Sequence, residues 1–442
     1  MFSTIVDYVI AKRIAASPTT ASRRSYLFFS LACNLGMLLG FKYFNFFNDS
    51  IRSLFDSFNI FYGVPAFDVL LPVGISFYTF QTLSYTIDVY RGSQKPETHL
   101  GYFALYVSYF PQLVAGPIER PARLLPQLRS KHLFDYKSVT EGLKLLLWGF
   151  FLKVVVADRA ASLVNQVYNN PESYTGPSFV LATVFFACQI FCDFAGYSLV
   201  AIGTARMMGV ELMQNFRRPY FSSSVGEFWQ RWHISLSTWF RDYLYVPLGG
   251  NRTSRRRWFT NIFIVFLVSG LWHGANWTFV IWGALNGLYL LVEIIFRQFI
   301  SGLDSKSIVK RNCERLNLIC IPLTFTLICF SWIFFRANST SDAIFIVSQL
   351  TTGWLELFRS IGDKTYIRDT LLLGLQKTEF LLALFFIAIV FIVEFIQEKK
   401  ILKAPFSKQP LWIRWTAYYA LVIAVLFFGA YNSGEQFIYF QF

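Results

Sequence analysis

Two histidines are the residues of this sequence most able to do chemistry, and the whole chain of 442 residues contains only four histidines. His273 lies in the segment 270–277, which reads GLWHGANW and separates two apolar stretches, and His233 lies forty positions earlier. An ionisable side chain within the hydrocarbon layer of a membrane usually has a function. A neutral imidazole can take a proton from a hydroxyl or a thiol near neutral pH. Both histidines are therefore candidate catalytic residues, and the alternative for each is a structural histidine that is hydrogen-bonded to a neighbouring helix.

The segment 222–250 surrounds His233 and reads SSSVGEFWQRWHISLSTWFRDYLYVPLGG. Ser224 and Glu227 have the spacing of a capping box, which opens a helix. Helical spacing then places the aromatic side chains and His233 on one face. Charged residues on the opposite face are candidate substrate contacts: Arg231, Arg241 and Asp242. The sequence thus predicts one amphipathic helix that lies at the cytoplasmic interface and does not span the membrane.

Helix geometry gives an expected depth for each histidine. If a span begins at Trp258 on the cytoplasmic side, His273 lies about 22 Å along it at a rise of about 1.5 Å per residue, whereas His233 stays near the cytoplasmic face. A passage from the cytoplasm to a deep imidazole would serve the transfer of a group from a cytoplasmic donor to an external acceptor. Four further residues are candidates for lining the cavity that this passage would form: Asn276, Trp272, Asp193 and Tyr197. For Asn276, a helix-capping role is the alternative.

The composition is typical of a membrane protein. Hydrophobic residues make up 55% of the chain and charged residues only 15%, which excludes an ordinary soluble domain. Apolar runs long enough to cross the hydrocarbon layer cover residues 25–47, 68–90, 140–165, 178–205, 258–274, 277–297, 316–336, 379–396 and 411–431. A shorter run, 101–116, contains proline and glycine and is predicted to be re-entrant. We therefore predict an all-α polytopic fold of about 9–11 transmembrane helices around a central cavity, in a single domain over residues 1–442.

The net charge of +14 lies in the loops between the apolar runs. Such a distribution is the pattern of membrane topology rather than of a nucleic-acid-binding face, so a nucleic-acid partner is not expected. The positive-inside rule places the basic segment 1–24 in the cytoplasm and the loops 48–66, 166–177 and 338–378 outside, in a multi-pass protein of the cell (inner) membrane. The arginine cluster at 252–257 can bind either the phosphates of a coenzyme A donor or anionic membrane lipid. No zinc or other metal site is indicated, because the six cysteines show no Cys-x-x-Cys spacing.

The longest motifs of the chain surround the two histidines. They read RWH at 231–233, WFRDYLYVPLGGNR at 239–252 and GLWHG at 270–274. Three other stretches accompany them, namely LPVGISFYTFQ at 71–81, AGPIER at 115–120 and FIYFQF at 437–442. Together these motifs resemble those of the membrane-bound O-acyltransferase superfamily, and within it the bacterial branch of the alginate O-acetylation membrane protein.

This resemblance implies transfer of an acetyl group from a cytoplasmic thioester towards an extracytoplasmic polysaccharide such as alginate. The expected co-substrate is acetyl-CoA, with no bound cofactor, and the expected partner is an extracytoplasmic protein that completes the acetylation of the sugar. The resemblance also implies that His273 is catalytic and that His233 is required. Two alternatives stay open: a transporter or channel-like scaffold for polysaccharide export, and an O-acyltransferase that acts on lipid or on a wall polymer. Against a transporter, the sequence shows no paired broken segments in two matching halves.

Overall fold

The computed structural model describes residues 2–67, 72, 74–114, 116–302, 313–360, 362–373, 375–401, 406–431 and 437–438. The beginning of the predicted span 68–90, the basic loop at 303–312 and most of the motif at 437–442 lie outside the described residues. Throughout the described part, helices are joined by turns and short loops. The predicted all-α fold is confirmed.

Six helices in the described residues are long and apolar enough to cross a membrane: Thr20–Ser57, Gly176–Met207, Trp277–Phe299, Ile319–Arg336, Lys377–Glu398 and Leu411–Phe428. Each coincides with a predicted apolar run, so the chain is a multi-pass membrane protein. The other three predicted runs are helical as well, but they are shorter or more polar. The helix of the run 68–90 has 17 residues, and that of 258–274 begins with three arginines. The helical segment of 140–165 carries a partly buried ion pair between Lys153 and Asp158.

The N-terminal part contains α1 (Phe2–Ala16), α2 (Thr20–Leu38), α3 (Phe44–Ser57), α4 (Ile75–Arg91), α5 (Leu100–Ser108) and α6 (Pro121–Arg129). A π-helical turn, Leu39–Tyr43, joins α2 to α3 in one continuous helix. The basic segment 1–24 is not a free tail, because α1 packs against α2 and α4. Its buried Asp7 accepts hydrogen bonds from Ser30 Oγ at 2.5 Å and from Asn34 Nδ2 at 2.8 Å. The nine residues of α5 rise only about 14 Å, which is too short to cross about 30 Å of hydrocarbon.

The middle part contains α7 (Tyr136–Phe150), α8 (Asp158–Tyr168), α9 (Gly176–Met207), α10 (Val225–Arg231), α11 (Ile234–Phe240), α12 (Arg255–His273) and α13 (Trp277–Gly302). Further π-helical turns lie at Phe151–Ala157 and Arg241–Tyr245. The C-terminal part contains α14 (Cys313–Arg336), α15 (Thr340–Gln349), α16 (Trp354–Arg359), α17 (Lys364–Thr370), α18 (Lys377–Glu398) and α19 (Leu411–Phe428).

Helices α12 and α13 form a hairpin with direct backbone contact. A Cβ atom added at Gly270 would lie 2.2 Å from the carbonyl oxygen of Phe279, and one added at Gly283 would lie 2.4 Å from that of Phe266. Only glycine permits such an approach, which is how membrane helices come closest to one another. The hairpin therefore presents His273, at the end of α12, directly to the first turns of α13.

The predicted amphipathic helix over 222–250 is wrong. The segment is divided into α10, α11 and a π-helical turn, and the break falls at Trp232 and His233. Ser224 does cap the start, since its Oγ accepts a hydrogen bond from the Glu227 amide at 3.2 Å. Beyond the break, Ser235 is fully buried, although helical spacing would place it with the charged residues on the polar face. The aromatic side chains pack into the main core of the protein, so burial on several sides prevents the segment from lying flat at an interface.

Candidate active site

The two histidines meet inside the protein. Their ring centroids are 6.5 Å apart, and the residues are only 1% (His233) and 5% (His273) exposed. The predicted separation in depth, with His233 near the cytoplasmic face and His273 deep, is therefore wrong. It failed because the break between α10 and α11 carries His233 into the core rather than along a surface helix.

His233 occupies the break itself and adopts an unusual backbone conformation. Its φ angle of 42° lies in the left-handed region, where non-glycine residues are uncommon and often mark functional sites. Asn215 holds the break, because its carbonyl oxygen accepts from the Ile234 amide at 2.9 Å and its Oδ1 accepts from the Ser235 amide at 3.3 Å. Asn215 in turn donates to Ser198 Oγ at 3.1 Å. Burial lowers the pKa of His233 to about 3, so this ring is neutral at physiological pH.

His273 is the last residue of α12, and a lysine from a distant helix fixes the end of that helix. Lys42 Nζ donates to the carbonyl oxygens of Trp272 at 2.8 Å and of His273 at 3.0 Å. The hydroxyl of Tyr43 donates to the carbonyl oxygen of Leu271 at 2.8 Å. The last carbonyls of a helix have no partner within the helix, and a cation there also complements the helix dipole. Lys42 and Tyr43 thus determine where the backbone of His273 lies.

Aromatic rings enclose both imidazoles. The ring of His273 lies 5.0 Å from Trp272, 5.0 Å from Trp282 and 5.3 Å from Phe335. His233 lies 4.6 Å from Phe194 and 6.0 Å from Trp272. The indole Nε1 atoms of Trp272 and Trp282 are buried and have no hydrogen-bond partner among the described residues. Two indole rings whose N–H donors lack a partner among the described residues therefore pack against His273 inside the protein.

The enclosure also limits access. In the described residues, side chains surround both histidines, so the passage that we expected from the cytoplasm to His273 is closed at the rings in this conformation. Phe335 contacts His273 and also the ring of Phe279, at 5.0 Å. Any substrate must therefore displace aromatic side chains to reach the imidazole.

Asn276 lies in the short connection that follows His273 and has two observed roles. Its Oδ1 accepts from the Thr278 amide at 3.0 Å, which is a helix cap for α13. It also lines a cavity of about 480 Å³ together with Ala275, Thr278 and Phe279 of the same hairpin; the other lining residues are Asn165, Asn169, Arg336, Ala337 and Asn338. The capping role that the sequence offered as the alternative is present. Neither histidine lines this cavity, so a role of Asn276 beside the imidazole stays a prediction.

Asp193 and Tyr197 occupy a position different from the open cavity wall that we expected. Asp193 Oδ1 pairs with Lys153 Nζ at 2.9 Å, and its Oδ2 accepts from the Ile438 amide at 2.8 Å. Tyr197 stacks on Phe437 with ring centroids 4.8 Å apart. Residues near the C-terminus therefore cover this pair, and the same Phe437 lies 6.2 Å from Phe194, which contacts His233.

The three charged candidates of the segment 222–250 are engaged in ion pairs. Arg231 binds Glu227 Oε1 at 2.6 Å and Glu398 Oε1 at 3.0 Å, so its guanidinium connects α10 to α18. Arg241 pairs with Asp242 at 2.9 Å and is largely exposed. Asp242 also lies 3.4 Å from Arg120 Nη2. The single polar face predicted for these residues does not exist, and none of them lines the cavity beside Asn276.

Sequence reasoning missed Lys42 and Trp282. Lys42 is the only charged residue in the apolar run 25–47, and a lone charge within a span is a recognised indication of function. Its pairing with α12 joins residues about 230 positions apart, and no local spacing indicates such a contact. Trp282 carries no signal of its own, because a tryptophan in an apolar helix is usually a packing residue.

Comparison with known proteins gives a consistent result. The family model described as MBOAT, membrane-bound O-acyltransferase family, matches residues 97–335. The probable alginate O-acetylase AlgI of Pseudomonas putida is 40% identical over 341 residues, or 76% of this chain and 67% of the relative. That of Pseudomonas aeruginosa is 41% identical over 345 residues, or 77% and 63%. The peptidoglycan O-acetyltransferase of Helicobacter pylori is 31% identical over 374 residues, or 79% and 68%. The chain thus spans about two thirds of the length of these relatives.

Proposed function

Because the chain belongs to the membrane-bound O-acyltransferase family, and is by that membership an O-acyltransferase, we propose that it transfers acetyl groups for the O-acetylation of an extracytoplasmic polysaccharide such as alginate. The observation that carries this proposal is the meeting of His233 and His273, with ring centroids 6.5 Å apart, among buried aromatic side chains. The relatives that share most of this chain are named for O-acetylation of alginate and of peptidoglycan, which favours a polymer acceptor over a lipid.

In the proposed reaction, His273 is the general base. It takes the proton of an acceptor hydroxyl as the hydroxyl oxygen attacks the carbonyl carbon of an acetyl thioester. The carbon–sulfur bond then breaks, the thiol leaves with a proton returned by the imidazolium, and the acetyl group is an ester on the acceptor. Burial lowers the pKa of both imidazoles, so both rings are neutral when the reaction begins. His233, whose ring centroid lies 6.5 Å from that of His273, supports the reacting group by hydrogen bonding.

The indole N–H groups of Trp272 and Trp282 supply the second catalytic element. Charge develops on the carbonyl oxygen of the thioester as the hydroxyl attacks, and buried donors that are already in place stabilise it most effectively. Both N–H groups are buried without a partner among the described residues, and both rings lie 5.0 Å from that of His273.

The proposed donor is cytoplasmic acetyl-CoA, used as a co-substrate, in a protein of the cell (inner) membrane. Its phosphates have a candidate contact in the arginines 252, 255, 256 and 257, which are exposed where the chain enters α12. The acceptor side lies at the other end of α12, beyond His273, where the neutral loops point outward by the charge rule. A partner protein outside the membrane completes the transfer to the sugar in this proposal.

Thiol release from acetyl-CoA tests the proposal directly. Purified wild-type protein in lipid vesicles should release free coenzyme A when an acceptor with hydroxyl groups is present. His273→Ala should abolish release while the protein inserts and elutes as the wild type does. His132→Ala is a matched control, because that histidine is an exposed side chain bonded to the Gln127 carbonyl. Full turnover by His273→Ala would reject the assignment of the base, and no turnover by wild type with any acyl-CoA would reject the donor.

A further inference from the structure

We propose that the junction of α7 and α19 binds the head group of an anionic phospholipid. The two helices are in contact, although they lie far apart in the sequence. Lys144 of α7 and Arg414 of α19 supply the positive charge of the site. The inference goes beyond the proposed acyl transfer, in which neither residue takes part.

Tyr418 of α19 is the aromatic centre of the junction. The Nζ atom of Lys144 lies 5.8 Å from the centroid of its ring, which is the geometry of a cation–π contact. Two further rings pack edge to face against Tyr418, that of Phe406 at 5.9 Å and that of Trp415 at 6.1 Å. The ammonium group of Lys144 is thereby held beside the first turns of α19.

Arg414 brings a second cation to the same junction. It lies one helical turn before Tyr418, and residues at this spacing share a face of the helix. Its buried Nε atom has no partner, and its guanidinium makes no hydrogen bond or ion pair with the described part of the chain. Lys144 likewise has no carboxylate partner among the residues that the structure describes. Two half-buried cations from different helices therefore lack a counter-charge.

Neighbouring acidic groups do not neutralise the junction. The segment 406–428 contains no acidic residue. Glu141, about one turn before Lys144 on α7, pairs instead with Arg206 Nη1 of α9 at 3.4 Å. Lys408 adds a third cation, which is exposed shortly before α19 begins. The net positive charge fits a phosphodiester whose head group leaves it negatively charged.

The surroundings of the junction favour a lipid as the occupant. Trp412 and Trp415, in the first turns of α19, are 72% and 53% exposed, and tryptophans at the ends of membrane helices are typical of the head-group level. The charge rule places the connection from α18 to α19 in the cytoplasm, because it carries Lys399, Lys400 and Lys408. Basic clusters next to a membrane helix on this side attract anionic lipid.

The beginning of α19 supplies further donors for the head group. Pro410 precedes the helix, and no side chain of the described residues caps it. The first amides of such a helix have no partner within it, and the helix dipole also favours an anion there. A phosphodiester beside Arg414 would accept from these amides. The acyl chains of the same lipid would follow the exposed apolar side chains of α19, namely Val422, Ile423 and Leu426.

Lipid binding to the purified full chain tests the proposal. The protein in detergent micelles receives equal amounts of phosphatidylglycerol, which is anionic, and phosphatidylethanolamine, which is zwitterionic, and native mass spectrometry measures the affinity for each. We expect the wild type to favour phosphatidylglycerol. Lys144→Gln and Arg414→Gln should each weaken phosphatidylglycerol binding about fivefold, the scale of one basic residue near an anionic membrane surface. Binding of phosphatidylethanolamine should stay nearly unchanged.

Two kinds of control separate the site from general effects. Lys399→Gln and Lys400→Gln remove the same charge from exposed side chains at the α18 end of the same connection, and they should leave both affinities unchanged. Lys144→Arg keeps the charge and the contact with Tyr418, so it should bind phosphatidylglycerol as the wild type does. Retained binding by Lys144→Arg shows that a loss in Lys144→Gln comes from the charge and not from a damaged fold.

Several outcomes would overturn the inference. Equal affinity of the wild type for the two lipids would do so. Equal effects of the junction and the control substitutions would do so as well, because they would indicate a general attraction between a basic loop and an anionic surface. Coenzyme A is added in a parallel titration, since its phosphates share the chemistry of the head group. Displacement of phosphatidylglycerol by coenzyme A would assign the two cations to the acyl donor and refute the lipid site, whereas retention of the lipid supports it.

Discussion

Replacing Lys42 by methionine should inactivate the enzyme without changing any group that touches substrate. Methionine keeps the apolar stem and the approximate volume of lysine but removes the ammonium that donates to the carbonyls of Trp272 and His273. The last turn of α12 then loses two hydrogen bonds and a favourable charge at its C-terminal end. The backbone of His273 is free to shift, and its ring shifts with it.

The size of the effect follows from these contacts. A hydrogen bond from a charged donor contributes about 1.5–3 kcal/mol, so two of them hold the helix end by about 3 kcal/mol or more. Displacement of a catalytic group by about 1 Å costs about a hundredfold in rate. We therefore expect kcat to fall about a hundredfold, equivalent to about 2.7 kcal/mol of activation free energy. The KM for acetyl-CoA should stay near its wild-type value, because Lys42 has no part in the proposed donor contacts.

The assay is release of free coenzyme A under steady-state conditions, with wild type, Lys42→Met, Lys42→Arg and Lys12→Met compared in the same vesicles. Lys42→Arg keeps a cationic donor and should recover part of the lost kcat. Lys12→Met removes a lysine that lies over the Tyr8 ring and should behave as wild type. A kcat of Lys42→Met within about threefold of wild type would refute the reasoning, since a displaced ring costs far more than that.

Two further predictions concern an indole and a carboxyl group. Trp272→Phe should lower kcat about a hundredfold with little change in KM, because it removes one donor to the developing oxyanion. Trp412→Phe, at an exposed tryptophan, is the control. Equal kcat values for the two variants would exclude Trp272 as an oxyanion donor. Burial raises the pKa of Asp7 from 3.8 to about 6. The protonated carboxyl therefore stabilises the folded state fully below about pH 4, and this stabilisation is lost as the pH rises through 6. Over that window Asp7 alone should account for a loss of about 3 kcal/mol of stability. Asp7→Asn should therefore flatten the slope of melting temperature against pH without abolishing it, because burial also raises the pKa of Glu119 to about 7; parallel slopes of the two proteins would contradict the assignment.

The sequence predicted the parts of this protein that depend on local pattern. Long apolar runs such as 178–205 became long helices, and the histidine motif at 270–274 lies at the end of α12. Hydrophobic length is a property of consecutive residues, so an isolated sequence contains it in full.

Features that arise from contacts between distant segments were not accessible in the same way. The helical periodicity of 222–250 continues through the break at His233, and nothing in the spacing indicates that Asn215 will hold the two amides that follow it. Likewise, Arg336 meets Asn165 across 171 positions. The histidines of the candidate site could therefore be predicted from the sequence. The contacts that hold them in place could not, because tertiary packing brings those residues together.

The glycine contact between α12 and α13 has a mechanical consequence. A backbone carbonyl packs against Gly270 and another against Gly283. The two helices are therefore expected to move as one rigid unit, because separating them would break all of these contacts together. We therefore expect a ligand to reach the histidines through rotation of side chains such as Phe279 and Phe335 about their χ angles. Both rings are buried, and protein interiors are close-packed, so these rings turn only when neighbouring side chains shift with them, without separation of the two helices.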